Sequence, residues 1–513
     1  MRKDQFFIAT FLSFPAKLFA LAGVGLALSG CISMAPEPRV PSLVADMPDS
    51  FAAPQSAGDY QPQNWWTAFE DPVLDKAVEQ ALASNLDIAE AVARLEQVKA
   101  QARLSRSALF PSVNAAATAS ESSTPLTGSA FSGFGGGALT RIENETYAPS
   151  LEAAYELDLF GVNRNDAAAA RRDAIASEYD LQSMRLAVAA QTISTYFEIV
   201  NARHQIALNQ QIADVLSDRA VRTEEEFQRG IADSFELYQI RQQLRATQAA
   251  LPQLESAAAD AENRLAVLLG SFPGDQDTWL DQPLTPRLVF EPVPSGLPAA
   301  LLDQRPDVAA NWARLEAARL RIGARRAERF PQINLSAAVG GQGDSISAGF
   351  DFAENWTRSL AASIVAPIFD AGRITANIKA ARAQYDQAAA SYAATVLQSF
   401  QEAESAFVDY EKQRERYSLI SSQLEEAELS LDLQSRRYAA GIGGYTTYLD
   451  ALTTVYQVRS DLASAALSTA MARLTVHRAL GGDWDTQIAA QKLEMQNTDS
   501  LNDSLNAESG DTE

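Results

Sequence analysis

The sequence has little cysteine, little histidine and no long apolar run, and each shortage excludes something. A single cysteine, Cys31, forbids an intramolecular disulfide. Two histidines, His204 and His477, with no metal-spaced cluster and no nucleophile elbow, leave no catalytic or metal centre to recognise, so neither an enzyme nor a cofactor protein is expected. Basic residues are outnumbered, 42 against 65 acidic, and the net charge of −23 lacks the basic patch that nucleic acid requires. No stretch beyond residue 31 is apolar for 18 residues, so a body that enters a membrane must do so as strands. Punctuation is also missing: residues 162–229 and 373–440 each run 68 positions without Gly or Pro. As helices at ~1.5 Å per residue, each is a rod of roughly 100 Å.

What is present is written twice. Asp87/Asp307, Arg94-Leu95-Glu96/Arg314-Leu315-Glu316 and Phe110-Pro111/Phe330-Pro331 match at an offset of 220, and Gly230/Gly441 and Leu269-Gly270/Leu480-Gly481 at 211. The body is a tandem duplication, with a first repeat over 63–270, a linking segment over 271–300 and a second repeat over 301–483. Before it, Arg2, Lys3 and Lys17 precede the apolar run Leu18 to Leu28 and then Leu28-Ser29-Gly30-Cys31, a secretory signal (1–30) ending in a lipobox. Cys31 is the expected lipid attachment point, and proline-rich 31–62 the linker behind it. The acidic tail 484–513 is expected to lack structure, and no function follows from it.

After each Phe-Pro the apolar period changes from helical to two. Strands are expected at about 111–120 and 149–160, and again at about 331–340 and 357–369, each with one apolar and one polar face. Phe110, Tyr147, Phe160, Phe330, Trp356 and Phe369 flank them, which suits lipid-facing strands with aromatic girdles; a small soluble sandwich is the alternative. Four strands cannot close a barrel, so spanning strands require an oligomer, and three chains would supply twelve. The connections at roughly 121–146 and 341–356 read as surface loops, Phe131 to Gly137 included, because no Gly-Lys-Ser/Thr follows.

The long helices are expected over 162–229 and 373–440, with return helices over 231–269 and 445–480. Tyr410, Tyr417, Leu424, Leu431 and Tyr438 recur every seven residues, a coiled-coil seam. Ile193, Phe197, Val200, His204, Leu208, Ile212 and Val215 step by three or four, which places His204 on a packed stripe. Pro252 is expected to interrupt the first return helix.

In order along the chain, Leu28-Ser29-Gly30-Cys31, Trp65-Trp66, Ala91 to Glu96, Leu157-Asp158-Leu159-Phe160-Gly161, Gln304-Arg305-Pro306-Asp307-Val308 and Tyr438-Ala439-Ala440-Gly441-Ile442 resemble an outer-membrane efflux lipoprotein of the TolC-like family, in its OprM/NodT branch. The resemblance implies a mixed α and transmembrane β fold. A homotrimer would share a twelve-stranded outer-membrane barrel, four strands per chain, continuous with a long periplasmic helical coiled-coil barrel. It implies a passive exit duct in the Gram-negative outer membrane, carrying small molecules such as drugs, with diacylglycerol and N-acyl lipid on Cys31. Its partners would be a periplasmic membrane-fusion adaptor and an inner-membrane transporter of RND or ABC type. Type I protein secretion and metal efflux use the same tube. A periplasmic coiled-coil adaptor or structural lipoprotein is the rival, but would not need the two strand pairs.

By the same resemblance, Gly230 and Gly441 lie at the adaptor-docking tips. Asp450 lies at the periplasmic gate, with Thr447 where a second acid would be and Gln239 at the first-repeat equivalent. Tyr438 and Glu236 are the expected closed-state latch, and Gly443 stands at the family's arginine position.

Overall fold

A computed structural model describes residues 34–37, 65–125, 141–274 and 305–482. The signal segment, Cys31, most of the 31–62 linker, most of 271–300 and the tail lie outside the described residues. In chain order come a 3₁₀ turn (Trp65–Phe69), α1 (Pro72–Ser84), α2 (Leu86–Ser107), β1 (Ser112–Pro125), β2 (Arg141–Leu157), α3 (Val162–Gln228) and α4 (Ser234–Leu268). They are followed by α5 (Pro306–Ala327), β3 (Gln332–Gly341), the one-turn α6 (Ile346–Gly349), β4 (Trp356–Val365), α7 (Arg373–Ala439) and α8 (Tyr445–Ala479). The duplication is metrical: α3 and α7 are both 67 residues long, α4 and α8 both 35.

The chain divides into two units, one of which holds residues 97–174 and 313–389 with the segment 34–37. Its sheet is a fully antiparallel β1-β2-β3-β4. The register sorts the side chains cleanly. Val113, Ala115 and Ala117 align with Ala153, Leu151 and Pro149, and these in turn with Ala337, Val339, Leu360 and Arg358 across β3 and β4. Asn114, Glu152, Ser336, Asn334 and Ser363 occupy the opposite face, because successive residues alternate. One face is therefore apolar and the other polar. The apolar face stays exposed, with Leu360 85% and Ile364 69% accessible. At the ~40° tilt usual for outer-membrane strands, the run from Tyr147 to Leu157 would cover roughly 26 Å at about 3.4 Å per residue, the height of an outer-membrane apolar band. Arg358 is a cation on the part of that face where all four strands pair, and its guanidinium lies 5.5 Å from the ring of Trp356.

The strand ends differ from the sequence expectation. The β1–β2 hairpin continues to Pro125 opposite Arg141, so residues 121–125 and 141–146 are strand and not loop. At the other end β4 stops at Val365, before Pro367, which has no N–H for a ladder; Ile368 and Phe369 lie beyond it, almost fully exposed. The β3–β4 connection contains α6 instead of being wholly irregular.

The second unit holds residues 65–96, 175–274, 305–312 and 390–482 of the described chain. Trp65, Trp66, Phe69, Leu74, Ile193, Tyr196, Phe197 and Leu474 form one core. Within it the buried Tyr196 hydroxyl donates to Asp71 at 2.7 Å, and Asp71 also caps α1 by accepting from the Val73 and Leu74 amides. His477 stacks on Trp65 at 5.5 Å, and burial lowers its pKa to about 3, with Arg473 adding to the shift, so it is a neutral core ring. The Arg305-Pro306-Asp307 stretch has a structural reason. Buried Arg305 grips Asp307 at 3.1 and 2.8 Å, Glu402 at 2.8 Å and the Ala479 carbonyl at 2.9 Å, joining the start of α5 and the end of α8 to the middle of α7.

Three helix expectations are corrected. His204 is exposed on α3, because the buried line runs instead through Ile193, Tyr196, Ile199 and Leu216. Pro252 lies inside α4 without ending it. Nor does α4 start at 231: Asp233 caps it, accepting from the Glu236 amide at 2.8 Å, and the helix begins at Ser234.

Candidate functional site

Both long helices end in the same turn. The Ile231 amide donates to the Glu226 carbonyl (2.8 Å) and the Gly230 amide to that of Phe227 (2.9 Å). In the second repeat Ile442 donates to Arg437 (3.0 Å) and Gly441 to Tyr438 (2.9 Å). These are Schellman closures, which need a left-handed residue after the helix. Gly230 and Gly441 supply it with φ of +74° and +72°. A Cβ at either would meet nothing within 4 Å, so conformation and not crowding selects glycine. Both tips present an isoleucine, Ile231 and Ile442, each 72% exposed. The repeats then diverge: Asp233 caps α4 with a side chain, whereas Gly444 precedes α8 with none. A Cβ at Gly443 would press on Arg437 and the Tyr438 amide at 3.1 Å, so the turn itself resists a side chain at the family's arginine position.

Behind these turns all four helices meet. Leu216, Ile240, Tyr445, Leu449 and Leu452 are buried together, with Leu431, Tyr438 and Tyr448 beside them. Arg219 of α3 enters this cluster. Its guanidinium lies 4.8 Å from the Tyr438 ring and 4.7 Å from that of Tyr445, and its Nη2 donates to the Tyr438 hydroxyl. Tyr438 also stacks on Tyr448 at 5.5 Å and 14°. Burial opposes the charge of Arg219, but its interactions with Tyr445 and Tyr438 outweigh that and raise its pKa.

The expected Tyr438–Glu236 bond is not among the described hydrogen bonds; the hydroxyl is engaged by Arg219 instead. Glu236 is half-buried in the first turn of α4 and feels Arg219 only through its charge. The Arg219 partner was missed in the sequence, although the three-to-four stepping through Ile212 and Val215 continues onto it. An arginine falling in phase with an apolar stripe is the signal that could have found it. The Tyr445 hydroxyl faces both the Arg219 guanidinium and the Thr223 hydroxyl, while Arg219 Nε is buried without a hydrogen bond.

Glu236 titrates upward, chiefly through burial and then through the neighbouring Asp233. Its ionised form is therefore disfavoured in the folded chain. That destabilisation is complete above the raised pKa and relieved as pH falls through it. Glu236→Gln is expected to raise the melting temperature slightly at neutral pH, with the difference from wild type closing below about pH 4 in thermal scans.

Asp450 and Thr447 are exposed one turn apart on α8. Thr447, Asp450, Thr454 and Gln457 form a polar line along the helix, opposite buried Tyr445, Leu449, Leu452 and Val455. The Asp450 carbonyl accepts from the Thr453 and Thr454 hydroxyls at 3.0 and 2.7 Å, and its carboxylate is exposed. Cys31 lies outside the described residues.

Comparison with known proteins covers both repeats. A profile described as outer membrane efflux protein matches residues 77–271 and 297–482. The pyoverdine export outer membrane protein OpmQ of Pseudomonas putida is 30% identical over 437 residues, 82% of this chain and 88% of that protein. A probable outer membrane lipoprotein, SilC of Salmonella typhimurium, is 27% identical over 92% of this chain and 99% of its own length. The solved outer-membrane channel OprN superposes with a TM-score of 0.79 at 28% identity, covering 88% of this chain and 99% of that one.

Proposed function

The chain belongs to the outer membrane efflux protein family, and from that premise we propose that three copies form a passive exit duct whose periplasmic end is gated at the helix tips. It is an outer-membrane efflux protein, in a family of channel formers and not of enzymes. The observation that carries the finer reading is the sheet. Its apolar face fits hydrocarbon and its polar face fits a watery lumen. β1 and β4 are its edges, and edges in lipid would leave amides unpaired at several kcal/mol each. With four strands, β4 of one copy and β1 of the next run in opposite directions, so copies can continue the antiparallel ladder. Three give a twelve-stranded barrel, and the β1–β2 and β3–β4 connections then face the exterior.

In this assembly the polar line on α8 faces the lumen. Three Asp450 carboxylates around the axis form a ring that attracts cations, and like-charge repulsion resists its full ionisation. With Thr447 at the outer position there is no second ring, so the constriction rests on Asp450. The Gly230 and Gly441 tips, with their exposed isoleucines, offer six contact points to a periplasmic adaptor, which links the duct to an inner-membrane transporter of RND or ABC type. Lipid on Cys31 anchors the chain. The cargo is small molecules, selected by the pump.

Single-channel conductance of the mature protein in planar bilayers tests this. Discrete steps are expected, larger and less cation-selective for Asp450→Ala. An absence of steps from well-folded protein of either form would favour an adaptor.

A further inference from the structure

The β3–β4 connection folds back against the apolar face of the sheet and encloses with it a crevice of about 880 Å³, within the roughly 300–1,000 Å³ usual for ligand sites. Ala117, Leu151, Val339 and Trp356 of that face line it, and Phe350 and Phe352 of the connection overhang it. Glycine permits the close approach. A Cβ at Gly341 would collide with the Gly349 carbonyl oxygen, and one at Gly349 would stand 2.6 Å from that of Tyr147.

The overhang is held by its own polar groups. Asn355 Nδ2 donates to the Ala348 carbonyl at 3.0 Å, the Gln342 amide to the Asn355 carbonyl at 3.1 Å, and Asp351 accepts from the Ala353 amide at 3.1 Å. Phe350 and Phe352 meet edge to face at 6.2 Å. Yet Phe350, Phe352 and Trp356 are all more than half exposed, so the shape is fixed while its aromatic surface is left uncovered.

A cation stands at the edge of the crevice. Arg358 lies opposite Val339 in the ladder and two residues along β4 from Trp356, with its guanidinium 5.5 Å from the Trp356 ring. Among the described residues no carboxylate forms an ion pair with it. At the offset of 211 the first repeat has Glu145 and Tyr147 where the second has Trp356 and Arg358, so the cation is particular to the second hairpin.

We propose that the crevice binds an anionic lipid of the outer leaflet, with an acyl chain beneath Phe350 and Phe352 and the headgroup phosphate on Arg358. The assignment rests on the duct reading, in which this face meets lipid and the β3–β4 connection lies on the exterior side. A guanidinium at that level is costly unless it reaches an anion, and lipid phosphate is the anion which that layer supplies. A zwitterionic lipid offers the same chain, but its own ammonium competes for the phosphate. The site therefore selects for net negative headgroups, and three copies of the chain carry three such sites.

Tryptophan quenching by lipids brominated on their acyl chains is the test. The mature trimer is reconstituted in phosphatidylcholine vesicles containing brominated phosphatidylglycerol or brominated phosphatidylcholine, and the Trp356 signal is taken as the difference from Trp356→Phe. Phosphatidylglycerol should associate at least threefold more strongly than phosphatidylcholine. Arg358→Gln should remove that preference by removing the charge. Ala117→Phe, which fills the crevice from an exposed position and leaves the cation in place, should remove it too. Equal association of the two lipids with wild type, or a preference that survives either substitution, overturns the proposal. The guanidinium would then belong with an acid of the neighbouring copy, such as Glu121 on the same face of its β1. Quenching of Trp356 by neither lipid would mean that the sheet does not meet lipid, a failure of the duct reading itself.

Discussion

Arginine in place of Leu360 is expected to abolish assembly in the outer membrane, whereas arginine at the adjacent Ala361 is expected to be accepted. The two positions are neighbours in β4 and lie on opposite faces of the sheet. Leu360 pairs with Ala337, which pairs with Ala153, in the middle of the apolar face. Ala361 pairs with Ser336 on the polar one. A lipid-facing arginine near the midplane costs about 2–4 kcal/mol, so three copies in one closed barrel lose roughly 6–12 kcal/mol, comparable with the whole stability of a typical domain. A lumen-facing arginine keeps its water. Trimer yield in purified outer membranes is the measurement. Wild-type yield from Leu360→Arg would mean that this face does not meet lipid, and the twelve-stranded barrel would have to be abandoned.

Loss of Arg219 should open the duct. The guanidinium is shared between two tyrosine rings and bonded to one hydroxyl, and so ties α3 to α7 and α8 within one chain. A desolvated cation–π contact is worth about 2 kcal/mol and a hydrogen bond to a charged group about 1.5–3 kcal/mol. Together they bias a closed tip by on the order of a hundredfold or more. Arg219→Ala is therefore expected to raise passive conductance in the absence of pump and adaptor. Arg219→Lys, which keeps the charge but not the planar fork, should fall between it and wild type. Glu236→Ala supplies the contrast. If it leaks as Arg219→Ala does, the acid shares the latch; if Arg219→Ala does not leak, the tie is structural and the gate lies elsewhere.

Several features are legible in the sequence because they depend on the chain's local chemistry. The absence of Gly and Pro over two equal stretches gave two rods. Phe-Pro followed by alternation gave the strand starts, since proline stops a helix and period two needs no tertiary information. Gly230 and Gly441 marked the turns because only glycine takes the left-handed cap without strain. Harder to read was where the strands end. The β1–β2 ladder runs through Ser120, Ser122 and Asn144, whose polar side chains say loop while their backbones pair across the hairpin.

The sequence by itself determined the duplication and the lipobox, read directly from residue matches, and the element types and even number of amphipathic strands, which follow from periodicity and backbone stereochemistry. Tertiary structure alone decided which groups meet across hundreds of residues. It placed Arg219 between Tyr438 and Tyr445 and turned His204 outward. The physical reason is that a helix periodicity reports only which residues share a face. Which cation on that face finds which ring depends on the crossing of four helices, and no local pattern encodes it.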